Sequence, residues 1–100
     1  MEEKRTVVLT RSAEQHITDI YKELRAESES LATEVMDNFL DVVFSDIPQF
    51  PLLYPVCDGT KSRSTSYRIA SIGVGFRVIF QVFKRQVLIL MILHESELPF

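Results

Sequence analysis

The hydrophobic pattern changes from helical spacing in the first half of the chain to strand spacing in the second. A short β-branched run, Thr6–Leu9, reads as a first strand. Apolar residues then recur at helical spacing from Ala13 to Leu24, and again from Leu31 to Ile47. The polar stretch Arg25–Ser30 separates the two apolar stripes. Two amphipathic helices joined by so short a connection are expected to form an antiparallel hairpin.

Both helices carry signals for where they begin and end. Ser12 and Gln15 form a capping-box pattern, which predicts that the first helix begins after Ser12. Ser28 or Ser30 can cap the second helix, and Pro48 is expected to end it. His16 is expected on the solvated side of the first helix.

Residues 48–66 read as a loop because proline and glycine recur along them. The aromatic residues Phe50 and Tyr54 are expected to fold back over the helical hairpin and cover the core. The segment 58–66 is small and polar and carries Lys61 and Arg63.

Three strands are expected after the loop, at about Tyr67–Ile72, Phe76–Phe83 and Gln86–Leu93. The short connections between them predict an antiparallel meander. The fold class is therefore α+β: a small antiparallel sheet, made of the N-terminal strand and the three-stranded meander, with the helical hairpin on one face (β-α-α-β-β-β). One hundred residues suit a single domain spanning 1–100.

The middle strand has one wholly apolar face, from Phe76 to Val82, and one mixed face that carries Arg77 and Gln81. If Lys84-Arg85 is a two-residue turn, Arg77 lies opposite Ile92, and His94 is its diagonal neighbour on the same face.

The loop at Gly73 decides where Arg68 points. An even-length loop places Arg68 on the face of Arg77, whereas an odd one buries it against Phe80. Because burying an unpaired guanidinium is costly, the even loop is favoured.

The net charge of −3 conceals an asymmetry. Residues 1–58 carry five Lys/Arg and twelve Asp/Glu, whereas residues 59–100 carry six and two. Such a basic patch can attract an anionic partner locally, although the two halves can also neutralise each other when packed.

Several kinds of protein are disfavoured by composition. A single cysteine, Cys57, permits no intramolecular disulfide and fits the reducing cytoplasm. With one Cys and two His, neither a metal site nor a cofactor is expected. No apolar run is long enough to cross a bilayer, and no secretory signal is visible.

These elements resemble a known family. A short strand, a helical hairpin, the Phe50-Pro51-Leu52-Leu53-Tyr54-Pro55 loop, the run YRIASIGVGFRVIFQV and a last strand ending in His94 are similar to the RelE/ParE superfamily of toxins from type II toxin–antitoxin modules. The similarity spans nearly the whole chain. Its most specific part is the hairpin motif from Gly75 to Val82.

The resemblance implies one of two chemistries. RelE-like members cleave messenger RNA in the ribosomal decoding site, a reaction that needs cations on the phosphates and groups that move protons. ParE-like members inhibit DNA gyrase by binding it and need no catalytic residue. Both are neutralised by a cognate antitoxin in a hetero-oligomer.

Position by position, the nuclease pattern is incomplete. Arg77 and Arg68 match basic positions of the family, and His94 stands where some nucleases use a histidine. Ala70 replaces a second lysine, and Glu97 lies where a basic residue is expected. The pI of about 5.3 is also low for a protein that binds the ribosome.

The favoured reading is a ParE-like toxin that arrests growth by binding gyrase, typical of plasmid-stabilisation modules, without enzymatic activity or sequence-specific DNA binding of its own. Its partner-binding residues are predicted to be Arg68, Arg77, Gln81, His94, Lys61 and Arg63. The alternatives are a ribosome-dependent endoribonuclease that uses Arg68, Arg77 and His94, and a degenerate relative that binds its antitoxin but is not toxic.

Overall fold

The computed structural model describes residues 4–57, 67–73 and 75–96. The predicted partner residues Lys61 and Arg63 lie outside these ranges. The order of elements confirms the α+β class and the predicted succession of one strand, a helical hairpin and three strands. The elements are β1 (Thr6–Leu9), α1 (Arg11–Glu27), α2 (Glu29–Asp41), a π-helical turn (Val42–Asp46), α3 (Ile47–Gln49), a 3₁₀ turn (Pro51–Leu53), β2 (Tyr67–Ser71), β3 (Phe76–Val82) and β4 (Gln86–His94).

The four strands form one sheet in the order β1-β4-β3-β2. The meander β2-β3-β4 is antiparallel, as predicted, but β1 runs parallel to β4. The sheet is therefore mixed. The parallel pairing puts the start of α1 beside the middle of β4, where Thr10 N–H donates to the carbonyl of Ile89 at 3.0 Å.

Helix α1 begins earlier than the capping-box pattern predicts. Its N-cap is Thr10, whose hydroxyl oxygen accepts a hydrogen bond from Ala13 N–H at 3.1 Å and donates one to the carbonyl of Leu90 at 3.0 Å. The prediction of Ser12 as N-cap is wrong because Thr10 caps the helix and binds the sheet at the same time. Of the two serines predicted as possible caps of α2, Ser28 is the N-cap, and its hydroxyl oxygen accepts a hydrogen bond from Leu31 N–H at 3.2 Å.

Pro48 does not end the second helix, as the sequence had suggested. Helix α2 continues through the π-helical turn, in which Ile47 N–H bonds to the carbonyl of Val42 five residues back, and α3 ends at Gln49. Pro48 has no N–H group, so it cannot donate a helical hydrogen bond in this segment. The carbonyl of Pro48 accepts from Arg5 N–H at 3.3 Å, which ties this end of the helix to β1.

The core lies between the helices and one face of the sheet. Tyr54 covers it as predicted, with its ring edge-on to Phe80 at a centroid distance of 5.6 Å. Phe50 does not, since 55% of its surface is exposed. The buried residues of this core are Ala13, Ile17, Phe39, Val43, Ile47, Ala70, Ile72, Val78, Phe80, Val87, Ile89 and Ile92. None of the helices in the described ranges is both long and apolar enough to cross a membrane.

Candidate partner-binding site

The sheet face opposite the helices, called the open face below, is largely apolar. Its centre is Ile79, which is 1% exposed and has Ile69 and Met91 as its strand partners. Polar side chains on this face include Arg77 and Gln81, both half-buried. The half-buried apolar residues on the open face are Tyr67, Ile69, Leu88, Met91 and Leu93.

Arg77 lies on the open face between Ser71 of β2 and Leu93 of β4. Its Nη2 is 3.3 Å from Glu95 Oε1, and the two side chains are 33% and 56% exposed. This is an exposed ion pair, which leaves part of the guanidinium accessible to another molecule. Arg77 therefore keeps the position on the exposed sheet face that the sequence predicts.

A β-bulge moves His94 away from Arg77. The two-residue turn gives the expected pairs up to Phe80↔Ile89, but Leu90 is then left over, and Arg77 pairs with Leu93. The predicted pairing of Arg77 with Ile92 is therefore wrong. One extra residue reverses the face of every later position, so His94 pairs with Phe76 on the helical side of the sheet.

Arg68 also lies on the helical side, opposite Phe80. This pairing requires a connection of odd length between β2 and β3, so the even loop that the sequence favoured is wrong. The guanidinium is not left without a partner, because Nη1 donates to the carbonyl of Tyr54 at 2.6 Å. Arg68 is also only half-buried, so this bond and the remaining exposure offset the cost of desolvating the guanidinium.

The imidazole of His94 borders a cavity of about 370 Å³ between α1 and the end of β4. It stacks edge-on against Phe76 at 5.4 Å, and its Nδ1 lies 2.9 Å from Ser96 Oγ. The facing residues of α1 are His16, Asp19 and Glu23. The described residues that line this cavity include no lysine or arginine.

His16 is half-buried and turns towards the sheet, whereas the sequence predicted the solvated side of α1. Its Nδ1 accepts a hydrogen bond from Ile92 N–H at 3.3 Å, just beyond the bulge at Leu90. A bulge disrupts the regular strand ladder, so a helix side chain can take over the partnership. The sequence gives no signal for this contact, since it depends on the bulge.

Tyr54 connects Arg68 to the core. Burial of the ring, with a smaller contribution from the nearby Asp46 carboxylate, raises the pKa of the Tyr54 phenol. Its chain neighbours cover the outer edge of β2: Cys57 N–H donates to the Tyr67 carbonyl at 2.7 Å, and Ile69 N–H to the Pro55 carbonyl at 3.0 Å. Arg68 is thus held inside a structural assembly.

Three candidate residues that the sequence placed together are therefore separate. Arg77 lies on the open face with Gln81, Arg68 is bound to the Tyr54 carbonyl, and His94 borders an acidic cavity. Within the ranges the structure describes, no group of three or more His, Cys, Asp or Glu side chains could hold a metal ion. Among the described residues, Arg77 and Gln81 share the open face, whereas Arg68 and His94 lie on the helical side of the sheet.

The fold is similar to that of chains in two solved toxin–antitoxin complexes. The chain superposes on a chain of the toxin–antitoxin complex RelBE2 from Mycobacterium tuberculosis with a TM-score of 0.59, 16% identity and coverage of 92% of this chain and 99% of the other. It also superposes on a chain of the archaeal RelE–RelB complex from Pyrococcus horikoshii with a TM-score of 0.55 and 12% identity. This match covers 96% of this chain and 100% of the other. No curated protein matches the sequence.

A family model identifies the family of this chain from its sequence. The family model of the ParE toxin of the type II toxin–antitoxin system parDE matches residues 7–99, nearly the whole chain. The protein belongs to the ParE toxin family, and the predicted membership of the RelE/ParE superfamily is confirmed.

Proposed function

We propose that this protein is a ParE-like toxin that inhibits DNA gyrase by binding, without catalysis of its own, and that a cognate antitoxin neutralises it in the cytoplasm. The observation that carries the proposal is the separation of Arg68, Arg77 and His94. General acid–base cleavage of RNA requires a proton-transferring group and phosphate-binding cations that contact the same phosphodiester.

The surroundings of His94 also favour binding over cleavage. A phosphodiester brought to this imidazole would meet the carboxylates of Asp19 and Glu23 in the same cavity. Like charges repel, and no cation among the residues described there offsets them. Phosphoryl chemistry at His94 is therefore electrostatically disfavoured.

Two assays on the purified toxin test the target. We expect a loss of DNA supercoiling by gyrase on addition of toxin, and unchanged translation on purified ribosomes with no new ends in primer extension of the message. Message cleavage that disappears in the His94→Ala variant would instead establish the endoribonuclease alternative.

The antitoxin is proposed to cover the open face. A chain that orders on binding can bury the apolar residues around Ile79 and place a carboxylate on Arg77. Gln81 lies on the same face, between Tyr67 and Leu88. Lys61 and Arg63 stay predicted contacts of the partner.

Substitution of Arg77 tests this placement. The cognate antitoxin is proposed to be encoded in an adjacent reading frame, and Arg77→Glu is expected to weaken its binding by about tenfold, because the change removes one charge partner and adds a like charge. Lys22→Glu, an exposed charge reversal on α1, is the matched control. Equal affinities of the two variants would exclude Arg77 from the interface.

Induction of the toxin alone tests whether it is toxic at all. We expect growth arrest that is relieved by co-expression of the antitoxin. Normal growth with abundant soluble toxin would favour the degenerate relative that binds its antitoxin and has no target.

A further inference from the structure

A second surface, at the opposite end of β4 from His94, combines exposed apolar side chains with cations. It surrounds a depression of about 400 Å³ and is called the basic–apolar surface below. The residues that define it here are Arg5, Phe50, Leu52, Leu53 and Lys84.

The apolar part of this surface is unusually exposed. Phe50, Leu52 and Leu53 are 55%, 59% and 80% exposed. Single exposed apolar residues are ordinary, but a contiguous group beside a depression marks an interaction site. Three such side chains within four consecutive residues form such a group.

The backbone holds these side chains in place. They belong to or adjoin the 3₁₀ turn Pro51–Leu53, in which Leu53 N–H donates to the Phe50 carbonyl at 3.2 Å. Pro51 is fully buried and fixes the turn to the protein. A binding surface that is already ordered loses less conformational entropy when a partner binds.

Cations from the first residues of the described chain and from the turn between β3 and β4 meet at this surface, where Arg5 and Lys84 line the depression. Arg5 Nε donates to the Phe83 carbonyl at 2.9 Å, and Thr6 N–H donates to the Arg85 carbonyl at 3.0 Å. These bonds bring Lys4 and Arg5 beside Lys84 and Arg85. Within the described part of the chain, none of the four forms an ion pair with a carboxylate.

We infer that the basic–apolar surface binds an acidic, apolar segment of the antitoxin, separate from the segment on the open face. The charges select an anionic partner, and the exposed leucines select one that carries apolar side chains. This inference rests on the proposed function for the existence of an antitoxin, but not on gyrase as the target.

A single tryptophan can report occupancy of this surface, because the chain contains none. Leu53→Trp places the indole on the 80%-exposed position, where it does not disturb the core. On titration with the antitoxin from the adjacent reading frame, its emission is expected to shift to shorter wavelength as the indole leaves water. Leu40→Trp is the control, because Leu40 lies on α2 and is 46% exposed. Its emission is expected to show no shift.

Two further variants test the energetic contribution. Leu53→Ala and Lys84→Glu are each expected to weaken antitoxin binding by about tenfold, the loss typical of an interface residue of this kind. Leu40→Ala and Lys22→Glu are the matched controls for the two changes. Unchanged melting temperatures would exclude unfolding as the cause.

The outcomes separate the two proposals. If the unmodified toxin binds the antitoxin but Leu53→Trp shows no shift and Leu53→Ala binds equally well, the inference is wrong and the proposed function stands. If the unmodified toxin does not bind the antitoxin at all, the proposed function itself fails. Binding of RNA that depends on Lys84, with antitoxin binding unaffected by its reversal, would assign the surface to nucleic acid and overturn the inference.

Discussion

At the scale of single residues, the two arginines of the meander have different surroundings. Arg68 is half-buried, and its Nη1 bonds to a backbone carbonyl at 2.6 Å. Arg77 is bonded to an exposed carboxylate. A charged hydrogen bond to a partly buried carbonyl contributes more to stability than an exposed ion pair, because water competes less well for the carbonyl.

Removing each guanidinium should show this difference. Arg68→Met keeps an apolar stem but leaves the Tyr54 carbonyl without its donor, and is expected to lower the free energy of unfolding by about 2 kcal/mol. Arg77→Met is expected to lower it by about 0.5 kcal/mol. Urea denaturation at neutral pH measures both, and equal losses would contradict a structural role specific to Arg68.

Tyr54 should make stability depend on pH in the alkaline range. Its folded-state pKa is raised above the ordinary value of 10.0, mainly by burial and then by Asp46. The unfolded chain therefore loses the phenolic proton first, so this contribution is fully present below the unfolded pKa and is lost as pH rises through the folded pKa.

The variant Tyr54→Phe isolates this effect. Its free energy of unfolding is expected to fall less steeply than that of the unmodified protein as pH rises from about 9 to 11. Urea denaturation across this range provides the measurement, and the difference at neutral pH gives the reference. Parallel curves for the two proteins would show that Tyr54 does not titrate with folding.

At the scale of elements, the order of helices and strands could be predicted because periodicity is local. The register of the strand pairs could not be predicted, because it depends on loop lengths and bulges that periodicity does not show. The bulge at Leu90 and the pairing of β2 with β3 each differ from the predicted register by one residue, and each difference reverses a face. Both errors are of the same kind, and together they placed Arg68 and His94 beside Arg77.

The N-cap of α1 and the orientation of His16 depend on contacts between residues that are distant in sequence, which local patterns do not predict. The hydroxyl of Thr10 bonds to Leu90, 80 positions away, and His16 bonds to Ile92, 76 positions away. Both contacts lie next to the bulge. A capping pattern or a helical stripe contains no information about such partners, whereas the apolar faces of β3 depend only on alternation and were predicted.

The start of α1 provides a direct test of these distant contacts. Thr10→Val retains the shape of the side chain but removes the cap on Ala13 and the bond to the Leu90 carbonyl, and is expected to lower the free energy of unfolding by about 2 kcal/mol. Ser12→Ala, at the residue that the sequence pattern favours, is expected to change it by less than about 0.5 kcal/mol. A larger loss at Ser12, measured by thermal or urea denaturation, would restore the capping box.

At the scale of the whole molecule, acidic and basic side chains lie at different ends of the sheet, which the net charge does not reveal. The cavity lined by Asp19 and Glu23 adjoins one end of β4, and the cations Lys84 and Arg85, which form no ion pair with a described residue, adjoin the other. The open face between these ends is largely apolar, with Arg77 on it. Among the described residues, this distribution suits partners that bind at several separate places.

Substitution of His94 tests whether the toxin acts through chemistry at this end of β4. His94→Ala is expected to leave growth arrest unchanged, because gyrase inhibition by binding needs no proton transfer at this imidazole. Incorporation of labelled amino acids is expected to stay near its initial rate while DNA replication stops, since translation is not the target. Soluble expression of the variant and its unchanged melting temperature serve as controls. A variant that folds and binds antitoxin but no longer arrests growth, together with an early fall in translation of the unmodified culture, would place chemistry at His94 and reverse the assignment.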